Sequence, residues 1–201
     1  MPKPLFYLLL IVVCFSCKDT DKAAKENEPT YPIATVQTDF GSMHFWLYDQ
    51  TPKHKEKFIE LAKSKHYDQF TFNRVVRNFV IQGGCPDSPQ YFTDSPYLLD
   101  PEFVDSLKHV YGALGIGRDN NIKKQSNLCQ FYIVNKEAGL PNLDGEYMII
   151  GRILGGEDVL EKIEIVKTDG NDQPEVPIQL HVFIEMMSAQ ELKDSFDFVV
   201  R

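Results

Sequence analysis

The sequence predicts a mainly β domain, a closed antiparallel barrel whose ends are plugged by two helices. Three observations carry that expectation. Short alternating segments recur along most of the chain, a glycine turn joins the first two into a hairpin, and only two internal stretches show strong helical periodicity. The length of 201 residues fits one domain with appendages and allows a single real core.

The elements follow in order. Alternation on both sides of TDFG predicts a hairpin from Ile33 to Tyr48. Thr51 and Pro52 supply an N-cap and a first-turn proline, and KHKEKFIELAKSK sets Phe58, Ile59, Leu61 and Ala62 on one helical stripe. Two short strands come next, Phe70–Val76 and Phe79–Gln82, ended by Gly83 and Gly84. Regular alternation places Phe70, Phe72 and Arg74 on one face. A charge there is costly unless it is paired, exposed or used in chemistry.

Residues 85 to 111 contain Pro86, Pro89, Pro96 and Pro101 and read as a long connection that is functional or wraps the domain. Strands resume at GALGIG, CQFYIV and EYMIIGRIL. The helix GEDVLEKIE and a last strand, PIQLHVFIEMM, complete the domain. The tail, residues 188–201, is expected to form a short packed or solvated helix capped by Ser188.

With 21 Lys and Arg against 29 Asp and Glu, the net charge is −8, and no basic cluster is interleaved with aromatics. Nucleic acid is therefore not an expected partner. Besides Cys14 and Cys17, the chain has Cys85 and Cys129, with no CxxC and no His/Cys pair at metal spacing, so no metal site is expected. The five histidines read as surface or locally bonded imidazoles. For Cys85 and Cys129, two buried free thiols are expected in preference to a disulfide, because bridge geometry is strict.

The apolar run Leu5–Phe15 is shorter than the ~20 residues of a membrane span and fits a secretory signal. Ser16 followed by Cys17 resembles the lipobox of bacterial lipoproteins, in which the cysteine becomes the lipid-modified N-terminus. In preference to a plain cleaved signal or an uncleaved anchor, this gives a signal over 1–16, an acylated Cys17 with a charged tether over 17–32, and a folded domain over 33–187. The expected place is a bacterial cell envelope, on a membrane held through the lipid.

FNRVVRNFVIQGG, GALGIGR, SNLCQFYIV and LDGEYMIIGRILGGEDVLEKI together resemble the signature blocks of cyclophilin-type peptidyl-prolyl isomerases, in the same order. The resemblance implies an eight-stranded antiparallel barrel capped by two helices. It also implies cofactor-free acceleration of X–Pro rotation in proline-containing polypeptides, by a monomer. Carried residue by residue, it makes Arg74 the catalytic arginine, Phe79 a catalytic pocket residue and Gln82 the holder of the substrate backbone. Val80, Gly117, Gln130, Tyr132, Leu143 and Tyr147 become substrate-binding positions. Asn73, Ile116, Gly117, Asn142 and Ile150 depart from the family pattern, as do Cys85 and Cys129, and make the pocket less aromatic. A binding module that keeps the proline groove with little or no turnover is the alternative, and an assembly lipoprotein using residues 86–106 is a third reading.

Overall fold

The computed structural model describes residues 28–92 and 95–200. The expected signal and Cys17 lie outside the described residues. The expected hairpin is β1 (Thr30–Thr38) and β2 (Gly41–Leu47), so Thr30 to Pro32 already belong to a strand rather than to the tether. Then come α1 (Pro52–Lys63), β3 (Thr71–Val76), β4 (Val80–Gly84), α2 (Pro89–Phe92), β5 (Leu98–Leu99), β6 (Ala113–Ile116), β7 (Ser126–Asn127) and β8 (Gln130–Val134). The chain continues through β9 (Met148–Gly155), α3 (Glu157–Glu164), β10 (Ile178–Gln179), β11 (His181–Ser188) and α4 (Ala189–Phe196).

The fold is mainly β, as expected, with a few helices. Nine strands form one curled antiparallel sheet in the order β10-β3-β4-β8-β6-β9-β2-β1-β11, and β5 pairs with β7 in a separate ladder. The strand expected at PIQLHVFIEMM is broken at Leu180, whose side chain turns into the core, so its two parts take different neighbours, β3 and β1. Bulges between Phe72 and Arg74, His44 and Phe45, and Leu114 and Gly115 break the ladders and bend their strands.

Inside the curl, Phe131 is a hub on which Phe58, Tyr67 and Phe72 pack edge-on at 5.4–6.0 Å. On the outer face, Val80, Ala113, Tyr132, Val134, Leu140 and Ile149 form a second apolar cluster. All five residues of β8 are buried, with Phe131 serving one core and Tyr132 the other. The tail helix has the expected cap: Ser188 Oγ accepts from Glu191 N, and Glu191 bonds back to Ser188 N. After it, Phe196 and Phe198 lie against His44 and Trp46, at 5.1 and 4.8 Å, so the tail covers part of the hairpin.

The start of α1 departs from expectation. Thr51 makes no capping bond. Glu102, from the long connection, accepts from the backbone N–H groups of Lys53 and His54 at 3.2 and 3.0 Å. The same carboxylate accepts from His54 Nδ1 at 2.7 Å, and His54 Nε2 accepts from Ser126 Oγ at 3.1 Å. His54 is thus fully buried and bonded far along the chain, contrary to the expectation of a surface or locally bonded ring. The connection wraps the domain and brings a helix cap with it.

This cap sets a pH dependence. Burial lowers the pKa of His54 despite the opposing pull of Glu102. Burial works to raise the pKa of Glu102, but bonds from His54 and Lys53 outweigh it and lower the value. The unfolded chain takes up a proton at His54 near pH ~6.5, before the folded one does. Stability from this pair is therefore full above that value and declines as pH falls through the folded value, and Glu102 adds a further loss at lower pH. Denaturant unfolding is expected to show a midpoint that drops below pH ~6.5. Glu102→Gln should cost about 1–2 kcal/mol at neutral pH, deepen the drop below pH ~6.5 by removing the pull that opposes burial at His54, and abolish the further loss at lower pH.

Candidate active site

The site is built on one row across the sheet. Arg74 of β3 pairs with Gln82 of β4, Gln82 with Tyr132 of β8, and Tyr132 with Gly115 of β6. Directly opposed residues share a face, so Arg74, Gln82 and Tyr132 stand in line on the outer side of the curl. Gly115 ends the row for a steric reason: a Cβ there would collide with the Tyr132 ring.

Arg74 reaches that face because β3 is irregular. Phe72 pairs with Gly83 and Arg74 with Gln82, which leaves Asn73 as an extra, unpaired residue. Its Nδ2 donates to the carbonyls of Gly84 and Cys85 at 3.0 and 3.3 Å, holding the bulge. Phe72 is buried in the inner core while Arg74 is half-buried on the groove side. Phe72 and Arg74 therefore do not share a face, which corrects the simple alternation.

All nine proposed site residues line one cavity of about 230 Å³: Arg74, Phe79, Val80, Gln82, Gly117, Gln130, Tyr132, Leu143 and Tyr147. The volume is below the usual range for drug-sized ligands and suits one small ring with part of its peptide. Asp87 and Arg118 also line it, two residues that no sequence signal marked as part of the site.

The two arginines differ in what they can still bind. Arg118 donates through Nε to Glu146 O at 2.8 Å and through Nη1 to Asp119 O at 3.0 Å, pairs with the Glu146 carboxylate at 3.4 Å, and lies 4.7 Å from the Tyr147 ring centre. Its guanidinium is committed to structure. The Arg74 side chain makes no hydrogen bond among the described residues. It has only the Asp172 carboxylate 3.6 Å from Nε and the Phe79 ring centre 5.9 Å from Cζ. Its terminal nitrogens are available to a ligand.

The glutamines divide in the same way. Gln130 is buried and spends its NH2 on Cys85 O at 3.0 Å and Asp87 Oδ1 at 2.8 Å. It props the cavity edge above Gly117, where a Cβ would strike its carboxamide. The Gln82 side chain, half-buried, has no hydrogen-bond partner among the described residues and offers the cavity both a donor and an acceptor.

Beneath Gln130, Cys85 and Cys129 form a disulfide with Cα atoms 5.5 Å apart. The expectation of two free thiols is corrected: β4 and β8 are direct neighbours, and Cys85 N donates to Cys129 O at 2.8 Å just past their last pair. That spacing lies within the range a bridge requires.

The phenol of Tyr132, where the family resemblance has phenylalanine, is accommodated from behind. His109 Nε2 lies 2.8 Å from Tyr132 Oη, and His109 Nδ1 lies 2.8 Å from Asp144 Oδ1, which also accepts from His109 N at 3.0 Å. Burial lowers the pKa of His109 against the pull of Asp144. Burial opposes ionisation of Asp144, but the bonds from His109 prevail and lower its pKa. Burial pushes Tyr132 well up. At neutral pH the ring is therefore neutral, donates from Nδ1 to Asp144 and accepts at Nε2 a hydrogen bond from the Tyr132 hydroxyl. No group of three or more His, Cys, Asp or Glu gathers for a metal among the described residues.

The family description "Cyclophilin type peptidyl-prolyl cis-trans isomerase/CLD" matches residues 33–183. Peptidyl-prolyl cis-trans isomerase-like 2 of Rhizopus delemar is 34% identical over 76% of this chain, which spans only 29% of that relative's length. Peptidyl-prolyl cis-trans isomerase CYP18-2 of Arabidopsis thaliana is 34% identical, covering 76% of this chain and 91% of its own. Peptidyl-prolyl cis-trans isomerase ppi1 of Schizosaccharomyces pombe is 36% identical, covering 72% and 93%. The crystal structure of a Cryptosporidium parvum cyclophilin-type isomerase, determined in the presence of the dipeptide Ala-Pro, superposes with a TM-score of 0.67 at 27% identity. It covers 76% of this chain and 98% of its own.

The His109 arrangement is open to a double-mutant test. His109→Asn keeps a donor near the Nδ1 position and removes Nε2, leaving a buried phenol unpaired. It should cost about 1–3 kcal/mol in chemical denaturation. Adding Tyr132→Phe should recover much of that loss. If the two changes are simply additive, the Tyr132–His109 bond has no energetic role.

Proposed function

The chain belongs to the cyclophilin-type peptidyl-prolyl cis-trans isomerase family, and from that premise we propose that it accelerates cis/trans rotation of X–Pro bonds in exported polypeptides while tethered to a membrane. The observation that carries the catalytic part is Arg74, a guanidinium with uncommitted donors standing in one row with Gln82 and Tyr132 at the edge of a cavity that has one apolar wall, Phe79, Val80 and Leu143.

The chemistry follows from the amide bond. Rotation is opposed by ~18–20 kcal/mol because nitrogen shares its lone pair with the carbonyl. Uncatalysed X–Pro exchange accordingly takes tens to hundreds of seconds. In the proposed complex the pyrrolidine ring sits among Phe79, Val80, Tyr132, Leu143 and Tyr147. Gln82 bonds the peptide backbone, so one side of the bond is held while the other turns. An Arg74 N–H directed at the prolyl nitrogen meets the lone pair as it leaves resonance, a charge that develops only in the twisted state. Arginine stays protonated, so no proton transfer is needed.

A finer reading of the fold goes with this proposal. The two ends of the sheet are β10 and β11, consecutive in the chain and separated only by Leu180, whose N–H bonds Phe70 O at 3.3 Å. Counted as one bent strand, they turn the nine-stranded order into a closed barrel of eight.

Export and anchoring rest on the apolar run Leu5–Phe15, on Ser16-Cys17 and on the charged stretch after it. The Cys85–Cys129 bridge supports the reading, because disulfides persist in oxidising compartments. Cys17 would carry the lipid and the following residues would give the domain reach.

Arg74→Ala is expected to slow isomerisation of an Ala-Pro peptide by about 100- to 1,000-fold in a protease-coupled assay, with the fold intact. Arg74→Lys should restore little, since an ammonium lacks the planar fork. Equal rates for wild type and Arg74→Ala would exclude the assignment, and loss of affinity without wild-type turnover would favour a binding module. For the anchor, Cys17→Ser should move the protein out of the membrane fraction or leave it as precursor. An unmodified N-terminus beyond Cys17 in mass spectrometry would refute acylation.

A further inference from the structure

The loop between α3 and β10 places an acidic side chain against Arg74. Asp169 organises this loop: its Oδ1 accepts from Asn171 N at 2.8 Å and Gln173 N at 3.0 Å, and its own N–H donates to Gln173 O at 2.8 Å. Thr168 and Pro174 close the base as an isolated bridge. At the tip, Asp172 has φ +63°, a left-handed conformation that few non-glycine residues other than Asp and Asn adopt readily.

That conformation serves two contacts with β3. The ladder between β10 and β3 covers only Thr71 and Phe72, so the outer edge beyond the bulge lacks a strand partner. The Asp172 carbonyl takes the Val75 N–H at 2.8 Å and completes the edge. Its carboxylate meanwhile lies 3.6 Å from Arg74 Nε.

We infer that Asp172 is a positioning residue for Arg74, holding the Nε side of the guanidinium so that the terminal nitrogens face the cavity. The inference rests on the reading of Arg74 as the donor to the prolyl nitrogen. An arginine side chain has several rotors, and here its head is bounded by Phe79 at 5.9 Å on one side and Asp172 on another. The pair is partly exposed, with side chains 35% and 47% accessible, so it adds little to stability. Its effect falls on orientation, to which the rate is far more sensitive.

The test uses Asp172→Asn and Asp172→Gly. Both residue types tolerate a left-handed backbone, so both variants keep the carbonyl bond to Val75 and lose the charge. Rate and affinity are measured separately by exchange NMR on an Ala-Pro peptide, together with thermal unfolding. Both variants should lower kcat by about three- to tenfold with KM within about twofold, and Tm should stay within a few degrees. The Arg74 Nε–H resonance should shift in both. A fall in Tm with kcat unchanged would show a purely structural role, and an unchanged or raised kcat in both variants would overturn the inference. Arg74→Ala in the same assay separates the two levels. If it is slow while the Asp172 variants are not, only the inference falls; if it runs at the wild-type rate, the catalytic reading falls beneath it.

Discussion

A single unpaired residue in β3, Asn73, lets the strand do two incompatible things. Phe72 and Val75 must enter the inner core, and Arg74 must face the groove. A regular pleat would send Phe72 and Arg74 the same way, either burying a guanidinium among aromatics or exposing a core phenylalanine. The bulge resolves the conflict locally, and much of the surrounding structure secures it. Asn73 bonds to Gly84 and Cys85, Cys85 is bridged to Cys129, and Gln130 bonds back to Cys85 and Asp87. These contacts join β3, β4 and β8 at the end of the row that holds Arg74, Gln82 and Tyr132.

A second device recurs around the sheet. A carboxylate from a distant segment takes a backbone N–H and a histidine ring together: Glu102 with His54, Asp144 with His109, and Asp68 with His181 and the N–H of Val182. The first and third fasten a connection to a regular element, the second joins two connections, and each leaves the imidazole one further nitrogen. For the two buried rings that nitrogen meets Ser126 and Tyr132. In the second case this explains how the apolar cluster around Tyr132 accepts a phenol without an orphaned hydroxyl.

Much of the site was legible in the sequence, for an identifiable reason. The nine expected residues among those lining the cavity sit in short strands and adjacent turns, where spacing alone places Val80 with Gln82 and Gln130 with Tyr132. Alternation failed at Arg74, because a bulge adds a residue and reverses parity from that point, and FNRVVR has no local mark of it. Gln130 was legible as a cavity residue but not as one whose donors are spent, since its partners lie 43 and 45 positions away. Asp172 and Glu102 were missed for the same reason: loop carboxylates act across distances that periodicity does not encode. The free-thiol expectation for Cys85 and Cys129 turned on distance, and only the pairing of β4 with β8 supplies it.

The first strand is zipped to the last. β1 pairs with β2 over six positions but with β11 over eight, Thr30–Gln37 against Ser188–His181. The N-terminal strand therefore lacks its longer ladder until nearly the whole chain is present. Contacts of such high sequence separation form late and slow the search for the native state. A chain emerging from a ribosome, N-terminus first, is thus held from completing its sheet while synthesis continues, and commits to the folded state only once residues 181–188 have emerged.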